Sequence, residues 1–233
     1  MRRCEPFQAD DLAELDGLLR RAALVVPMRE LLPYGRASTS PHLIALRHDV
    51  DNELAPALAL ARWEAERGYR ATYFLLHSAP YWDAGLPAAV EGLLALGHEV
   101  GIHNNAIAER VRTGRDPHEI LAEATERLRD LGANVVGTVA HGDKLCHERG
   151  FVNDEMFEEC VRTSGLHGGV PVERKPLAAH GLVYDANWIP RDFYASDSGG
   201  VWRGDFDRVP GHDFSGQLHL LIHPCWWRQA FGL

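Results

Sequence analysis

Short apolar runs alternate along the chain with segments whose apolar residues recur at helical spacing. The runs have the length of buried strands and lie near residues 43–46, 71–76, 98–102, 135–140 and 217–223. Predicted helices lie between them, several of them followed by glycine, at 53–67, 87–96 and 117–131. Strands that alternate with helices indicate parallel pairing and right-handed crossovers. The pattern therefore predicts an α/β fold, a single-domain distorted (β/α)7-type barrel, with an open doubly wound sheet as the alternative.

The sequence of the first part of the chain predicts a helical extension. Asp10 and Asp11 are candidate caps for a helix that runs to about Ala23 with leucines on one face. Pro27 and a polar segment then interrupt this pattern. We expect residues 1–35 to pack on the barrel and residues 36–233 to form the main domain. Weaker signals predict a helix at 154–162 and strands near 166–168, 182–185 and 207–210.

Composition narrows the class of protein. The 233 residues are 45% hydrophobic and 24% charged, as in soluble globular domains. A net charge of −9 without a basic tract argues against nucleic acid and anionic membrane surfaces as partners. No apolar run suggests a secretory signal or membrane span, so a cytoplasmic protein is expected. The cysteines are too dispersed to predict a disulfide framework or zinc knuckle: Cys4, Cys146, Cys160 and Cys225.

Four predicted strands end in an acid or an imidazole. Asp49 and Asp51 follow one strand, and His103, His141 and His223 each follow another. The carboxyl ends of barrel strands meet at one face, so we expect these side chains to lie together. Two carboxylates on one face repel each other unless a cation holds them or one takes a raised pKa. Carboxylate and imidazole ligands suit zinc or another divalent metal.

Three segments together resemble the motifs of polysaccharide deacetylases of the NodB-homology type, carbohydrate esterase family 4. They are HDVD (48–51), GHEVGIH (97–103) and LIHP (221–224). Two further segments resemble a bacterial subgroup associated with sugar modification, namely YDANW (184–188) and SDSGGVW (196–202). The order and spacing fit, so the resemblance covers about residues 43–227 and makes residues 36–233 the catalytic domain.

The resemblance implies removal of an N-acyl group, acetyl first, from an amino sugar that is a small molecule or carrier-linked. Asp49 would be the general base and His223 the general acid, with Asp51 and His103 as metal ligands. The implied cofactor is one divalent metal, zinc first, with Co, Ni, Mn or Fe as alternatives. The metal would lower the pKa of water and polarise the acyl carbonyl, and the acid and base would act on opposite sides of the reacting centre.

The chain departs from the family pattern at the third metal ligand. The family has a second histidine four residues after the first, and Ile107 stands there. We favour His141 as the replacement. Asn104 or Asn105 as a weaker oxygen ligand, and a site that binds metal poorly or not at all, remain the alternatives.

The arginine that holds the base in the family is also absent from its usual segment. Arg47 has the same strand parity as Asp49, so we expect it to point inward and take that role. His48 has the opposite parity and is expected to be structural. Asp185 is the predicted partner that orients His223. The predicted substrate contacts lie in loops: Trp188, Asp197, Trp202 and Trp226.

Two other functions stay open from the sequence. One is metal-independent hydrolysis of a cyclic or other amide, which relatives of this fold carry out. The other is sugar binding without catalysis. Metal analysis and turnover of acylated sugars separate these alternatives from a metal-dependent deacetylase. The oligomeric state is not predicted.

Overall fold

The computed structural model describes residues 6–33, 42–162, 171–205 and 216–233. Within these ranges one sheet contains nine strands. They are β1 (Leu24–Val26), β2 (Leu43–Val50), β3 (Thr72–Leu76), β4 (Glu99–Asn104), β5 (Gly137–Ala140), β6 (Tyr184–Asp185), β7 (Phe193–Ser196), β8 (Arg203–Gly204) and β9 (Gln217–Ile222). The strand order is β6-β5-β4-β3-β2-β9-β7-β8, and β1 also pairs with β2.

The sheet is parallel apart from the β7–β8 pair. Every residue of β2, β3, β4 and β9 is buried, as expected for parallel strands covered on both faces. The predicted fold class is confirmed, since this is a mixed α/β fold whose sheet curls into a half-barrel.

Six α-helices lie in the described ranges: α1 (Ala9–Leu19), α2 (Leu54–Ala65), α3 (Leu86–Ala95), α4 (Ala106–Thr113), α5 (Pro117–Asp130) and α6 (Lys144–Arg149). The helix α1 begins one residue before the predicted caps. Instead of starting the helix, Asp11 accepts a hydrogen bond from the backbone N–H of Gln8 at 2.6 Å. Asp116 caps α5 as its sequence suggests, by accepting from the N–H of His118.

The middle of the chain differs most from the sequence prediction. The helix expected at 154–162 is wrong, because a single 3-10 turn (Asn153–Met156) is formed there. The weak strand near 182–185 is present as the short β6. The other two weak strands, near 166–168 and 207–210, and the boundary predicted between residues 35 and 36 lie outside the described residues.

The N-terminal segment belongs to the same core as the sheet. The predicted leucine face of α1 is buried: Leu12, Leu15, Leu18 and Leu19. After α1, the short β1 pairs in parallel with the beginning of β2. This segment therefore contributes both a helix and a strand to the fold.

A polar cluster lies under the sheet, on the side of α2. The Nε2 atom of His48 lies 2.7 Å from Oε1 of Glu64, and the hydroxyl of Tyr73 donates to Oε2 of the same carboxylate at 2.7 Å. All three residues are fully buried. His48 thus faces the helices, as its strand parity predicts, while its neighbours Arg47 and Asp49 face the other side.

Within the described ranges, no helix combines the length and the apolar character that a membrane crossing needs. The three cysteines that the structure describes, Cys146, Cys160 and Cys225, are all free thiols.

Candidate metal centre and active site

The strand order places the predicted site residues at one edge of the sheet. The strands β5, β4, β3, β2 and β9 are consecutive neighbours. All of them run in the same direction, so their carboxyl ends lie side by side. His103 is the fifth residue of β4 and pairs with Val139 of β5. Asp51, His141 and His223 come directly after or close to the last residues of β2, β5 and β9.

Asp51, His103 and His141 form a compact group of potential metal ligands. One donor atom from each lies within 4.8 Å of the others. The Oδ1 atom of Asp51 is 3.3 Å from Nε2 of His103 and 3.3 Å from Nδ1 of His141. The two ring nitrogens are 3.2 Å apart.

Three features of this group suit a divalent cation. The Nδ1 of His103 lies 3.1 Å from the carbonyl of Val139, which only accepts, so Nδ1 donates to that carbonyl and Nε2 is the ring nitrogen that faces the group. The Oδ1 of Asp51 is buried and has no properly oriented hydrogen bond among the described residues. One carboxylate and two imidazoles are common zinc ligands. Burial alone would raise the pKa of Asp51, but the proximity of His103 and His141 outweighs it and holds that pKa far below its usual range.

The other candidates for the third ligand are placed differently. Ile107 is fully buried in the apolar core within α4. The amide oxygen of Asn104 accepts from the N–H of Ala106 at 2.9 Å, and that of Asn105 accepts from Nδ2 of Asn153 at 3.0 Å. Both oxygens are thus engaged within the protein, whereas His141 turns a ring nitrogen to the group.

Asp49 lies beside this group and is paired with Arg47. The Nη2 of Arg47 donates to Oδ2 of Asp49 at 3.1 Å, and its Nη1 donates to Oδ1 of Asn187 at 3.1 Å. Both partners are buried, with 5% of Arg47 and 4% of Asp49 exposed. Burial would raise the pKa of Asp49, but the charges of Arg47, His103 and His223 outweigh it and lower that pKa. Asp49 is therefore an ionised carboxylate at neutral pH.

His223 is paired with Asp197, which is fully buried. The Nδ1 of His223 lies 2.7 Å from Oδ1 of Asp197, and the backbone N–H of His223 donates to the same carboxylate at 2.9 Å. The indole N–H of Trp227 donates to Oδ2 of Asp197 at 2.9 Å. Burial alone would lower the pKa of His223, but the hydrogen bond and charge of Asp197 outweigh it and raise the pKa to about 9.

This pairing corrects two predictions. Asp185, expected to orient His223, instead accepts from the N–H of Asn187 at 2.8 Å, and burial raises its pKa well above the usual range. Asp197, expected to bind substrate hydroxyls, has no exposed surface, and its oxygens accept from His223 and Trp227. Asp197 therefore holds the position that was predicted for Asp185.

The three predicted aromatic contacts lie in different surroundings. Trp188 lines a cavity that also contains His141. Trp202 packs against Phe7 and Trp227, with ring centroids 5.4 and 6.0 Å away. Trp226 is half-buried against Gly200, where an added Cβ would meet the indole at 3.2 Å. Trp188 is therefore the predicted aromatic contact that shares a cavity wall with a candidate metal ligand.

Two supporting residues, Trp227 and Asn153, were not among the predicted site residues. Trp227 is fully buried and bonds the carboxylate of Asp197. Asn153 donates to the carbonyl of His141 at 2.9 Å and to the amide oxygen of Asn105 at 3.0 Å. Each lies in a short 3-10 turn and bonds to a partner that is distant along the chain. The strand pattern, which predicted the other site residues, therefore does not indicate that either residue supports the site.

Comparison with known proteins adds a distant structural likeness. No protein-family model matches the chain, and no curated protein matches it. One similar solved structure is a family 4 carbohydrate esterase from Streptomyces lividans in complex with acetate. The TM-score is 0.44 at 16% sequence identity, and the match covers 81% of each chain. Likeness at this level does not establish a family or a function, so the function proposed below rests on the site and the sequence motifs.

Proposed function

We propose that this chain is a metal-dependent hydrolase that removes an N-acyl group, acetyl first, from an amino sugar. The observation that carries the proposal is the Asp51–His103–His141 group with an ionised carboxylate on one strand end and a protonated imidazole on another. The substrate class rests on the motif resemblance of residues 48–51, 97–103 and 221–224 to polysaccharide deacetylases.

Asp51, His103 and His141 would hold the metal, and zinc is the first candidate because it favours imidazole with carboxylate. When bound, such a metal polarises an acyl carbonyl and lowers the pKa of water. The other proposed roles belong to the protein's own side chains. Arg47 keeps Asp49 ionised, so Asp49 is ready to accept a proton from the attacking water.

His223 would supply the second proton transfer. Its pKa of about 9 keeps the imidazole protonated at neutral pH, as an acid that protonates the leaving amine requires. Asp197 fixes the ring through Nδ1, which leaves Nε2 as the nitrogen that can donate to substrate. One base that starts ionised and one acid that starts protonated are what amide hydrolysis needs from the protein.

The test combines metal content with turnover. We expect about one zinc per zinc-supplemented chain, the stoichiometry that corresponds to the one donor group found among the described residues. Asp51→Ala, His103→Ala and His141→Ala should lose it. Asp49→Asn and His223→Ala should keep the metal but lose at least about 100-fold in acetate release from N-acetylated hexosamines.

Two results would contradict the proposal. Equal acetate release with and without bound metal would favour metal-independent amide hydrolysis. Metal binding together with sugar binding, but with no release of any acyl group, would favour a binding protein. The matched control is Asp130→Ala, an exposed carboxylate at the end of α5, which should change neither metal content nor turnover.

A further inference from the structure

A cavity of 460 Å³ opens beside the candidate metal centre, on the side of His141. Its walls include His141, Phe151, Asp154, Asn187 and Trp188. A volume of several hundred Å³ is typical of small-molecule sites. Asn187 also accepts the hydrogen bond from Arg47, so one wall is tied directly to the residue that holds Asp49.

Asp154 is an unusual residue for such a wall. Only 5% of it is exposed, and its Oδ1 has no hydrogen-bond partner among the described residues. Burial raises the pKa of Asp154. Leaving a buried carboxyl oxygen unpaired costs free energy, and such groups in proteins commonly have a partner. Asp154 lines the cavity, so a polar group of a ligand can be that partner.

The surroundings favour a hydroxyl over an ammonium group. The guanidinium of Arg162 already acts on Asp154 and lowers its affinity for a further cation. A side-chain hydrogen bond joins Trp188 to Asp154, and both side chains line the same cavity. The Oδ1 of Asp154 still has no partner among the described residues, so an aromatic side chain and an available carboxyl oxygen lie side by side there. Aromatic faces beside hydrogen-bonding groups match sugars, which have apolar C–H faces and hydroxyls at their edges.

We propose that this cavity binds the sugar ring of the substrate, with Asp154 accepting a hydrogen bond from one ring hydroxyl and Trp188 lying against the ring. Asp154 is then a specificity-determining residue that acts at some distance from the scissile bond. This inference rests on the proposed function for the identity of the ligand. It assigns the cavity next to His141 a role that the metal centre and the two proton-transfer residues do not provide.

The probe is methyl N-acetyl-β-glucosaminide, with binding measured by calorimetry on the zinc-supplemented full chain in an Asp49→Asn background to stop hydrolysis. We expect Asp154→Ala to weaken binding by about tenfold, since a hydrogen bond to a buried carboxyl group is lost. Trp188→Ala should also weaken it. The control Asp130→Ala, which removes an exposed carboxylate, should bind the probe as tightly as the Asp49→Asn background does.

The 3-, 4- and 6-deoxy analogues of the probe separate a direct contact from a general loss of structure. In the Asp49→Asn background, one analogue should bind more weakly than the parent sugar, because it lacks the hydroxyl that contacts Asp154. When Asp154→Ala is added to this background, the same analogue and the parent sugar should bind equally well. Asp154→Asn, which keeps the side-chain shape, should show an intermediate loss with an unchanged melting temperature. No binding of the probe, or equal losses for every analogue in both proteins, would overturn the inference.

Acetate release by the unmutated protein distinguishes this failure from failure of the proposed function. Release with an Asp154→Ala KM equal to that of wild type would leave the function standing and remove the cavity from it. Probe binding that depends on Asp154 and Trp188, without any release, would leave a sugar site and remove the hydrolase.

Discussion

At the scale of single residues, the charge on Asp197 decides the state of His223. The buried carboxylate receives hydrogen bonds from the ring and backbone of His223 and from the indole of Trp227. Burial lowers the pKa of His223, but the hydrogen bond and charge of Asp197, whose Oδ1 lies 2.7 Å from Nδ1 of the ring, raise it to about 9. The imidazole therefore stays protonated over most of the physiological pH range.

Asp197→Asn should therefore move the alkaline limb of the pH–rate profile. In wild type, kcat/KM should fall as pH rises through about 9, where His223 loses its proton. Without the carboxylate, burial still lowers the pKa of His223 and only the charges of Asp49 and Asp51 still raise it, so the fall should move to lower pH. The profile is measured as acetate release from an N-acetylated hexosamine.

Asp185→Asn is the matched control for this change. Asparagine keeps the shape of Asp185, and the Asp185 side chain bonds to the N–H of Asn187 and not to His223. The alkaline limb should stay near 9. If the alkaline limb of the profile moved in Asp185→Asn and stayed in place in Asp197→Asn, Asp185 would be the partner of His223, as the sequence predicted.

The sequence predicted Asp49, Asp51, His103, His141 and His223 at one edge, because each follows a strand and parallel strands share that edge. It could not choose between Asp185 and Asp197 as the partner of His223. Asp185 is the last residue of one short strand and Asp197 follows another, but β7 pairs with β9 whereas β6 pairs with β5 on the far side of the sheet. The choice depends on the order of the strands in the sheet, which the local sequence pattern does not indicate.

At the scale of elements, one 3-10 turn (Asn153–Met156) connects the segments that contain the candidate ligands His103 and His141. Asn153 receives the N–H of Ala108 at 3.0 Å and donates to the carbonyl of His141 at 2.9 Å. Its backbone carbonyl accepts from Asn104. The β4–α4 and β5–α6 connections are thus held together by a single fully buried side chain and its backbone.

Asn153→Ala should weaken zinc binding by about tenfold, because outer partners of metal ligands commonly contribute that much. The loop with His141 loses its link to Asn105, and the ligand is less well held. Zinc affinity is measured by competition with a chromophoric chelator. Asn134→Ala, at an exposed position before β5, should keep wild-type affinity. Equal affinity in both variants would show that the turn does not position His141.

The same turn explains why a helix was wrongly predicted at 154–162. The side chains of Asn153, Asp154 and Glu155 are buried, and those of Asn153 and Glu155 accept hydrogen bonds from backbone N–H groups, which competes with regular helical hydrogen bonding. The long elements were predictable because many residues repeat one pattern, as in α5 and β9. The short helices α4 and α6, of eight and six residues, offer too few periods for the pattern to show.

At the scale of the whole molecule, the candidate metal centre joins strand ends that are distant along the chain. Asp51 follows β2, His103 lies at the end of β4, and His141 follows β5. A cation held by these three residues would bind the folded sheet and not an unfolded chain, in which the three residues are far apart. Metal binding is therefore coupled to the stability of the entire fold.

Zinc at about 100 times its dissociation constant should add about 2.7 kcal/mol to the free energy of unfolding. For a chain of this length, that corresponds to a rise in melting temperature of about 5–10 °C. The rise is measured by calorimetry, with and without a chelator. His141→Ala should lose most of it, because the donor set falls from three groups to two. His223→Ala should keep the full rise while losing turnover, since His223 pairs with Asp197 and not with the donor group. An undiminished rise in His141→Ala would mean that zinc stabilises the protein at another place, and the third ligand would have to be sought elsewhere.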